Sequence, residues 1–429
     1  MSPHSNTTIA AVHAREIFDS RGRPTVQAEV TLAGGALGAA SAPSGASKGV
    51  HEAHELRDGD PQRYGGYGVR KAVVHVNTEI AGRLLGEDAA EQVRIDAALC
   101  ELDGTAQLHR LGANAVLAVS LAVCRAAAYA SGTPLYRHIA ALNGNAFPSL
   151  PLPMVNILSG GAHAGRSMDV QDFLVIPHGA TGFEEAMQIA LRVRAAADAI
   201  AARRSLSHLL ADEGGLAPGF ARATEALDFM VEAIEGAGLV PGRDASIALD
   251  IAASELFAAG VYRFEQEGLR LSGDEMIQLM LRWARDYPVV SIEDALHQDD
   301  WEHWRKLAAA TKLQIVGDDL FATNLARVRC GIDAGAANAV LIKPNQNGTL
   351  SGTLDVLNEA RRAGFATIVS ARSGETEDSF IADLAVGAGA GQIKIGSVRT
   401  SERFSKYNRL VQIGEDAGLA LAAPLRCRR

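Results

Sequence analysis

The chain has 429 residues, 48% of them hydrophobic and 21% charged, and a formal net charge of -9. That length fits two domains rather than one small core. The acidic balance excludes the basic footprint of a nucleic-acid binder, and Cys100, Cys124, Cys330 and Cys427 lack metal-ligand spacing, which suits structural thiols in a reducing compartment. The first residues, Met1-Ser-Pro-His-Ser-Asn-Thr-Thr, contain no basic region followed by an apolar core, so no signal peptide is read there. The most apolar helical stretch, 113–130, carries Arg125 and is Ala-rich, which argues against a membrane span. A cytoplasmic protein with no membrane partner is expected.

In chain order, residues 9–32 alternate as two paired strands joined by Asp19-Ser-Arg-Gly-Arg-Pro24, which has hairpin chemistry. A third strand ends at Ser41-Ala-Pro43. The small-residue loop Ser44-Gly-Ala-Ser-Lys-Gly-Val50 reads as a connection or a mobile lid. Helical patterns follow over 61–85, 91–102 and 112–131, the last ended by Gly132-Thr-Pro134. The Pro/Gly/Asn-rich stretch 142–153 is the one long linker, which places a domain boundary near residue 145: an α+β domain over 1–144 and a barrel over 145–429.

The second domain opens with a strand over 154–158, the loop Ser159-Gly-Gly-Ala-His-Ala164 and a strand over 169–176. A long amphipathic helix over 183–203 precedes a glycine-flanked acidic loop, Ala211-Asp-Glu-Gly-Gly-Leu-Ala-Pro218. Ser272-Gly-Asp-Glu275 is a capping box. Between Ile247 and Ser397 a series of short apolar segments ends in charge: Asp250, Glu293, Asp318, Lys343, Arg372 and Lys394. The last four steps in this series are 25, 25, 29 and 22 residues, the length of one strand, one helix and two loops in a (β/α)8 barrel. Charges at the carboxyl ends of barrel strands face the end where such barrels do chemistry.

The order of signs, three acids and then Lys, Arg and Lys, reads as a metal site followed by cations for an anionic substrate. Three carboxylates within about 4 Å repel by roughly 4 kcal/mol per pair at an effective dielectric of 20. A divalent cation with all-oxygen ligation, Mg2+, relieves this. Taken singly, each residue has a plainer reading: His163 as a loop histidine, Glu213 as a helix cap, Lys343 and Lys394 as snorkelling strand-end lysines.

Together these segments resemble the enolase family over nearly the whole chain. The resemblance rests on Ala14-Arg-Glu-Ile-Phe-Asp-Ser-Arg-Gly22, Pro43-Ser-Gly-Ala-Ser47, His51-Glu-Ala-His-Glu-Leu-Arg-Asp-Gly-Asp60, Asp212-Glu-Gly-Gly215 and Ser373-Gly-Glu-Thr-Glu-Asp378. It implies an α/β fold: an N-terminal α+β capping domain, a modified (β/α)8 TIM barrel and a homodimer or higher homo-oligomer. It implies two Mg2+ ions, the first held by Asp250, Glu293 and Asp318, the second by Ser44 when a lid closes. Lys343 would be the base that takes the C2 proton and Glu213 the acid that assists loss of the C3 hydroxyl. Lys394 would hold the substrate carboxylate, Arg372 and Ser373 the phosphoryl group, and His163 would line the site. Gln171 and Asp172 stand where the family has Gln-Glu, the carboxylate supporting the acid step.

Four positions depart from the family pattern: Ala371 replaces a histidine, Asp172 is one methylene shorter than glutamate, Lys48 replaces a threonine, and Pro344-Asn-Gln-Asn347 lacks the usual apolar residue before Gly348. Lost imidazole and gained cation suggest a substituent larger and more anionic than phosphate. In this the chain resembles the carboxyphosphonoenolpyruvate synthases of phosphinothricin-type antibiotic pathways. The alternatives are a housekeeping phosphopyruvate hydratase of glycolysis and a non-catalytic enolase-fold scaffold. The substrate expected is a small anionic phospho- or phosphono-glycerate.

Overall fold

The computed structural model describes residues 6–46 and 49–423. β1 (Ile9–Phe18), β2 (Pro24–Leu32) and β3 (Leu37–Ser41) form an antiparallel sheet in that order. Val12, Ala14, Val26, Ala28 and Val30 share its buried face, as strand alternation requires. That face packs on the helix Ala113–Ala130, whose small side chains let sheet and helix approach closely. By length and composition this helix passes as a membrane span, yet it is almost wholly buried inside the protein.

The expected helix over 61–85 begins later. A 3-10 turn at Tyr64–Gly66 is followed by helix from Arg70, interrupted by a π turn at Val76–Ile80. Gly65 and Gly66 take φ of +59° and +93°, which breaks helical continuity. Asp58 then sets the start, its carboxylate accepting from Arg70 N at 3.0 Å and Lys71 N at 2.9 Å.

β4 (Leu152–Ser159), β5 (Asp172–Ile176) and β6 (Ser246–Asp250) begin a closed barrel. A small antiparallel sheet follows, β7 (Phe257–Ala258), β8 (Val261–Phe264) and β9 (Leu269–Leu271), and accounts for the long interval between Asp250 and Glu293. β10 (Val289–Glu293), β11 (Gln314–Gly317), β12 (Ala339–Ile342), β13 (Ala366–Ser370) and β14 (Gln392–Gly396) complete the barrel, and β14 pairs with β4. Helices Phe183–Arg203 and Gly273–Asp286 stand as expected, and Ser272 and Glu275 exchange the capping bonds.

One barrel strand is reversed. β5 runs antiparallel to both β4 and β6, while the other neighbours are parallel. Its first residue, Asp172, therefore pairs with Asp250, the last residue of β6, and with Ser159 at the end of β4. An apolar cluster including Leu152, Met154, Leu174, Ile176, Leu341 and Ile368 fills the opposite half of the barrel interior. The acids and lysines gather at the mouth beyond the strand ends, while at the strand starts Gln314 donates to Gln392 at 2.8 Å. The N-terminal domain closes over that mouth, held by a two-pronged Arg125–Asp378 pair and by reciprocal Ser44–Gly374 backbone bonds of 2.8 Å.

Candidate active site

Asp250, Glu293 and Asp318 all end up buried at this mouth, at the ends of β6 and β10 and just past β11. Two lysines stand among them. Lys394 Nζ, from β14, donates to Asp250 Oδ2 at 2.7 Å and to Glu293 Oε2 at 2.8 Å. Lys343 Nζ, just beyond β12, donates to Asp318 Oδ2 at 2.5 Å. Burial opposes the charge on both ammonium groups, but their carboxylate partners outweigh it and raise both pKa values, that of Lys394 well above its usual value. Arg372 and Lys394 act to lower the pKa of Lys343, and Asp318 overrides them.

Three further carboxyls report too much negative charge. Burial, then Asp250, pushes Glu293 well above its ordinary range. Burial and Asp319 do the same to Asp294, and burial and Asp318 move Asp319 up to about 7. Asp294, Asp318 and Asp319 each offer an oxygen within 4.8 Å of the others'. Asp250, Glu293 and Asp318 do not close into such a group, because lysine ammoniums are interposed. A set of buried, hard carboxylate oxygens that repel one another fits a divalent cation of the Mg2+ type. Gln171 Nε2 donates to Asp250 Oδ2 at 3.2 Å, and its Oε1 is buried without a partner. The expected substrate-binding Gln171 thus touches a metal-type ligand first.

Half-way round the barrel from Lys343 lies the acid side. Glu213, on the loop between helices Phe183–Arg203 and Ala223–Gly236, groups with His163 and Asp172, their ligand atoms all within 4.8 Å of one another. His163 Nδ1 is 3.1 Å from Asp172 Oδ2, while Asp172 Oδ1 accepts from Asn156 Nδ2 at 2.6 Å and Ser159 Oγ at 2.8 Å. Burial alone would lower His163, but Asp172 and Glu213 raise it to about 9, so the ring is an imidazolium. Burial pushes Glu213 up, and His163, Arg403 and Lys394 more than reverse this, leaving a carboxylate below its usual range. Gly215 keeps this loop on β4, since a Cβ there would meet Ser159 Oγ at 2.5 Å.

At the third side of the mouth, Arg372 donates to Glu52 at 2.9 and 3.3 Å and to Asn345 Oδ1 at 3.0 Å. Burial opposes its charge, and Glu52 restores it. Ala371 is buried between β13 and this arginine. Arg403 anchors the surrounding loops through the carbonyls of Arg372 at 2.7 Å, Ser373 at 2.7 Å and Ile395 at 3.0 Å. Ser373 lies beside Ser44, which is buried, and whose Oγ accepts from Arg21 at 3.2 Å and Arg57 at 2.8 Å. Lys48, expected at the rim, lies outside the described residues.

Sequence reasoning missed Asn156, Ser159, Glu52 and Arg21. Glu52 and Arg21 lie inside the motifs that carry the resemblance, which is the one signal that marks them. Asn156 and Ser159 are two small polar residues on an otherwise apolar strand, a weak sign of an inward polar network.

An eight-stranded barrel with one reversed strand, whose capped mouth sets buried acids against two lysines and an arginine, defines the enolase-type class of barrel proteins. Residues 148–423 match the model of the enolase C-terminal TIM barrel domain, and residues 9–139 match the enolase N-terminal domain. The chain belongs to the enolase family.

Proposed function

We propose that this protein is a Mg2+-dependent hydro-lyase that takes the C2 proton and expels the C3 hydroxyl of a 2-phospho-substituted glycerate. The observation that carries this reading is the placing of Lys343, just past β12, half-way round the barrel from β5 and its Glu213–His163–Asp172 group, with Lys394 between them on β14. Elimination of water next to a carboxylate needs a base on one side of the substrate and a proton donor on the other. Held by Asp250, Glu293 and Asp318, Mg2+ would supply the positive charge that a carbanion beside a carboxylate needs. A Lys or His base working with one or two Mg2+ ions is the established pattern of enolase-superfamily sites, and the same logic applies to these residues.

Lys343 would act as the base from its position beyond β12 in its neutral form, once Asp318 is turned from its ammonium to the metal ion, and Lys394 would orient the substrate carboxylate. His163 delivers its proton through Glu213 to the departing hydroxyl. Arg372, once its pairing with Glu52 is exchanged for the substrate, binds the phosphorus-side anion. A cytoplasmic homo-oligomer is part of the same reading.

The preferred substrate is the carboxyphosphono analogue, giving carboxyphosphonoenolpyruvate in a phosphinothricin-type pathway. Ala371 and Asp172 support it: the shorter carboxylate is built into a bonded network with Asn156, Ser159 and His163, so it is an integral part of this site and not a decayed glutamate. Ordinary phosphopyruvate hydratase is the second reading, favoured by the full complement of acids and lysines. The test is Mg2+-dependent formation of an enolpyruvate product from each substrate by the purified protein. Turnover of neither, in Mg2+, contradicts the enzyme reading.

A further inference from the structure

Helix Phe183–Arg203 turns an apolar face inward, with Ala186, Ala190, Val193, Ala197 and Ala201 among its buried residues. One charged residue shares that burial: the side chain of Arg194 is only 2% exposed. A guanidinium taken out of water is costly unless it is paired. Its ionic partner is Asp198, one turn further along the helix, whose Oδ1 accepts from Arg194 Nη2 at 3.1 Å and Nε at 3.3 Å.

The other arm of the guanidinium leaves the helix. Arg194 Nη1 donates to Gly214 O at 2.9 Å and to Ser397 Oγ at 3.1 Å. Gly214 directly follows Glu213, and the backbone before it is held as well. Ser397 N donates to Glu213 O at 2.9 Å, and Asp212 N donates to His163 O at 3.2 Å. Gly214 takes φ of +83°, which favours glycine, and a Cβ there would meet Ser397 Cβ at 3.4 Å. Among the described residues none donates a hydrogen bond to the Glu213 carboxylate, so that carboxylate is aimed by its backbone. The His163 loop holds this turn on one side and the end of β14 on another; Arg194 holds it from the helix. A well-packed apolar side chain in place of a buried ion pair is often neutral or stabilising, but it cannot donate to a carbonyl.

We propose that Arg194 is a positioning residue for the elimination step: tethered by Asp198, it fixes the turn 212–214 so that the Glu213 carboxylate stays beside His163 and Asp172. The inference rests on the proposed reading that Glu213 acts on the departing hydroxyl, and it goes further by naming what holds Glu213 in place.

The test uses whichever of 2-phosphoglycerate and its P-carboxy analogue the wild type turns over in Mg2+, with backbone hydrogen exchange as the second readout. Arg194→Met keeps much of the volume and removes every donor. It should lower kcat roughly 10- to 100-fold, the scale for a slightly misplaced catalytic group, with KM and exchange of the substrate C2 hydrogen unchanged. Combined with Glu213→Gln it should lose less than the product of the two factors, because Arg194 acts through Glu213. Arg194→Lys, which keeps a charged donor, should lose less than Arg194→Met. Backbone hydrogen exchange over residues 211–215 should quicken in Arg194→Met while the barrel strands keep their protection. Parallel loss of elimination and C2 exchange, factors that simply multiply, or unchanged backbone exchange over 211–215 would overturn the proposal. Asp198→Ala, at a partly exposed site, frees the guanidinium and should move kcat and the 211–215 exchange in the same direction. Should Arg194→Met not fold, a wild-type kcat in Asp198→Ala overturns the proposal. The dehydration reading fails separately, by absence of turnover in the wild type, while the quickened exchange over 211–215 can stand.

Discussion

Lys343 Nζ lies 2.5 Å from Asp318 Oδ2, so the base proposed for proton abstraction is paired with a carboxylate proposed to bind the metal. Removing one partner of a buried ion pair costs about 3–5 kcal/mol, because the other charge is left alone. Lys343→Ala should therefore be destabilised and should also lose exchange of the substrate C2 hydrogen with deuterated water. Adding Asp318→Asn should restore much of the stability without restoring exchange. Denaturant melts and proton NMR read the two effects independently. Exchange at the wild-type rate in Lys343→Ala would remove it as the base.

Glu293 presents both carboxylate oxygens to Lys394, at 2.9 and 2.8 Å. Glu293→Gln keeps the shape and surrenders the charge. The metal-free protein should remain folded, since Asp250 still pairs with Lys394. Its thermal stabilisation by Mg2+ and its activity should both disappear. A wild-type Mg2+ response would take Glu293 out of the metal site.

His163 gives a pH signature. Its folded pKa of about 9 stands above the ordinary 6.5, so it is a raised group. The stability it contributes is full below the unfolded value and is lost as pH climbs through the folded one. The urea stability of wild type over His163→Asn should be constant below about pH 6.5, shrink between there and pH 9, and level off above. A gap that widens with rising pH would mean the ring is neutral.

In the proposed reaction Glu213 and His163 act after carbanion formation, which separates them from Lys343. Glu213→Gln should slow elimination by roughly 10²- to 10⁴-fold, the range for a lost acid–base group. Exchange at C2 should persist. Parallel loss of both would place Glu213 in the first step.

Much of this architecture can be read in the chain itself. Strand-end charges at barrel spacing mark the mouth, because parallel buried strands are short apolar runs and their ends are where polarity returns. Helix Phe183–Arg203 and the Ser272–Glu275 cap follow from local periodicity and local bonds. The reversal of β5 is not legible, since a buried strand reads alike in either direction. That is why Asp172, at the start of a strand, belongs to a series otherwise made of strand ends. The surroundings of Ser44 are illegible for a different reason. Arg21 and Arg57, which donate to its Oγ, reach it only through the fold. The pairing of Lys343 with Asp318 is likewise a tertiary fact, and it raises the lysine pKa.

The identity of the substrate is tested most directly by kcat/KM for 2-phosphoglycerate and for its P-carboxy analogue. The wild type should prefer the analogue by roughly 10- to 200-fold, the loss expected when a partly polar pocket is left unfilled. Ala371→His with Asp172→Glu should move the preference towards 2-phosphoglycerate. The longer side chain must also be fitted into the Asn156–Ser159–His163 network, so some stability is lost. Lys48→Thr should weaken the analogue selectively. Turnover of 2-phosphoglycerate at an efficiency equal to or above that of the analogue, unmoved by the double change, would contradict the specialised reading and leave an ordinary phosphopyruvate hydratase.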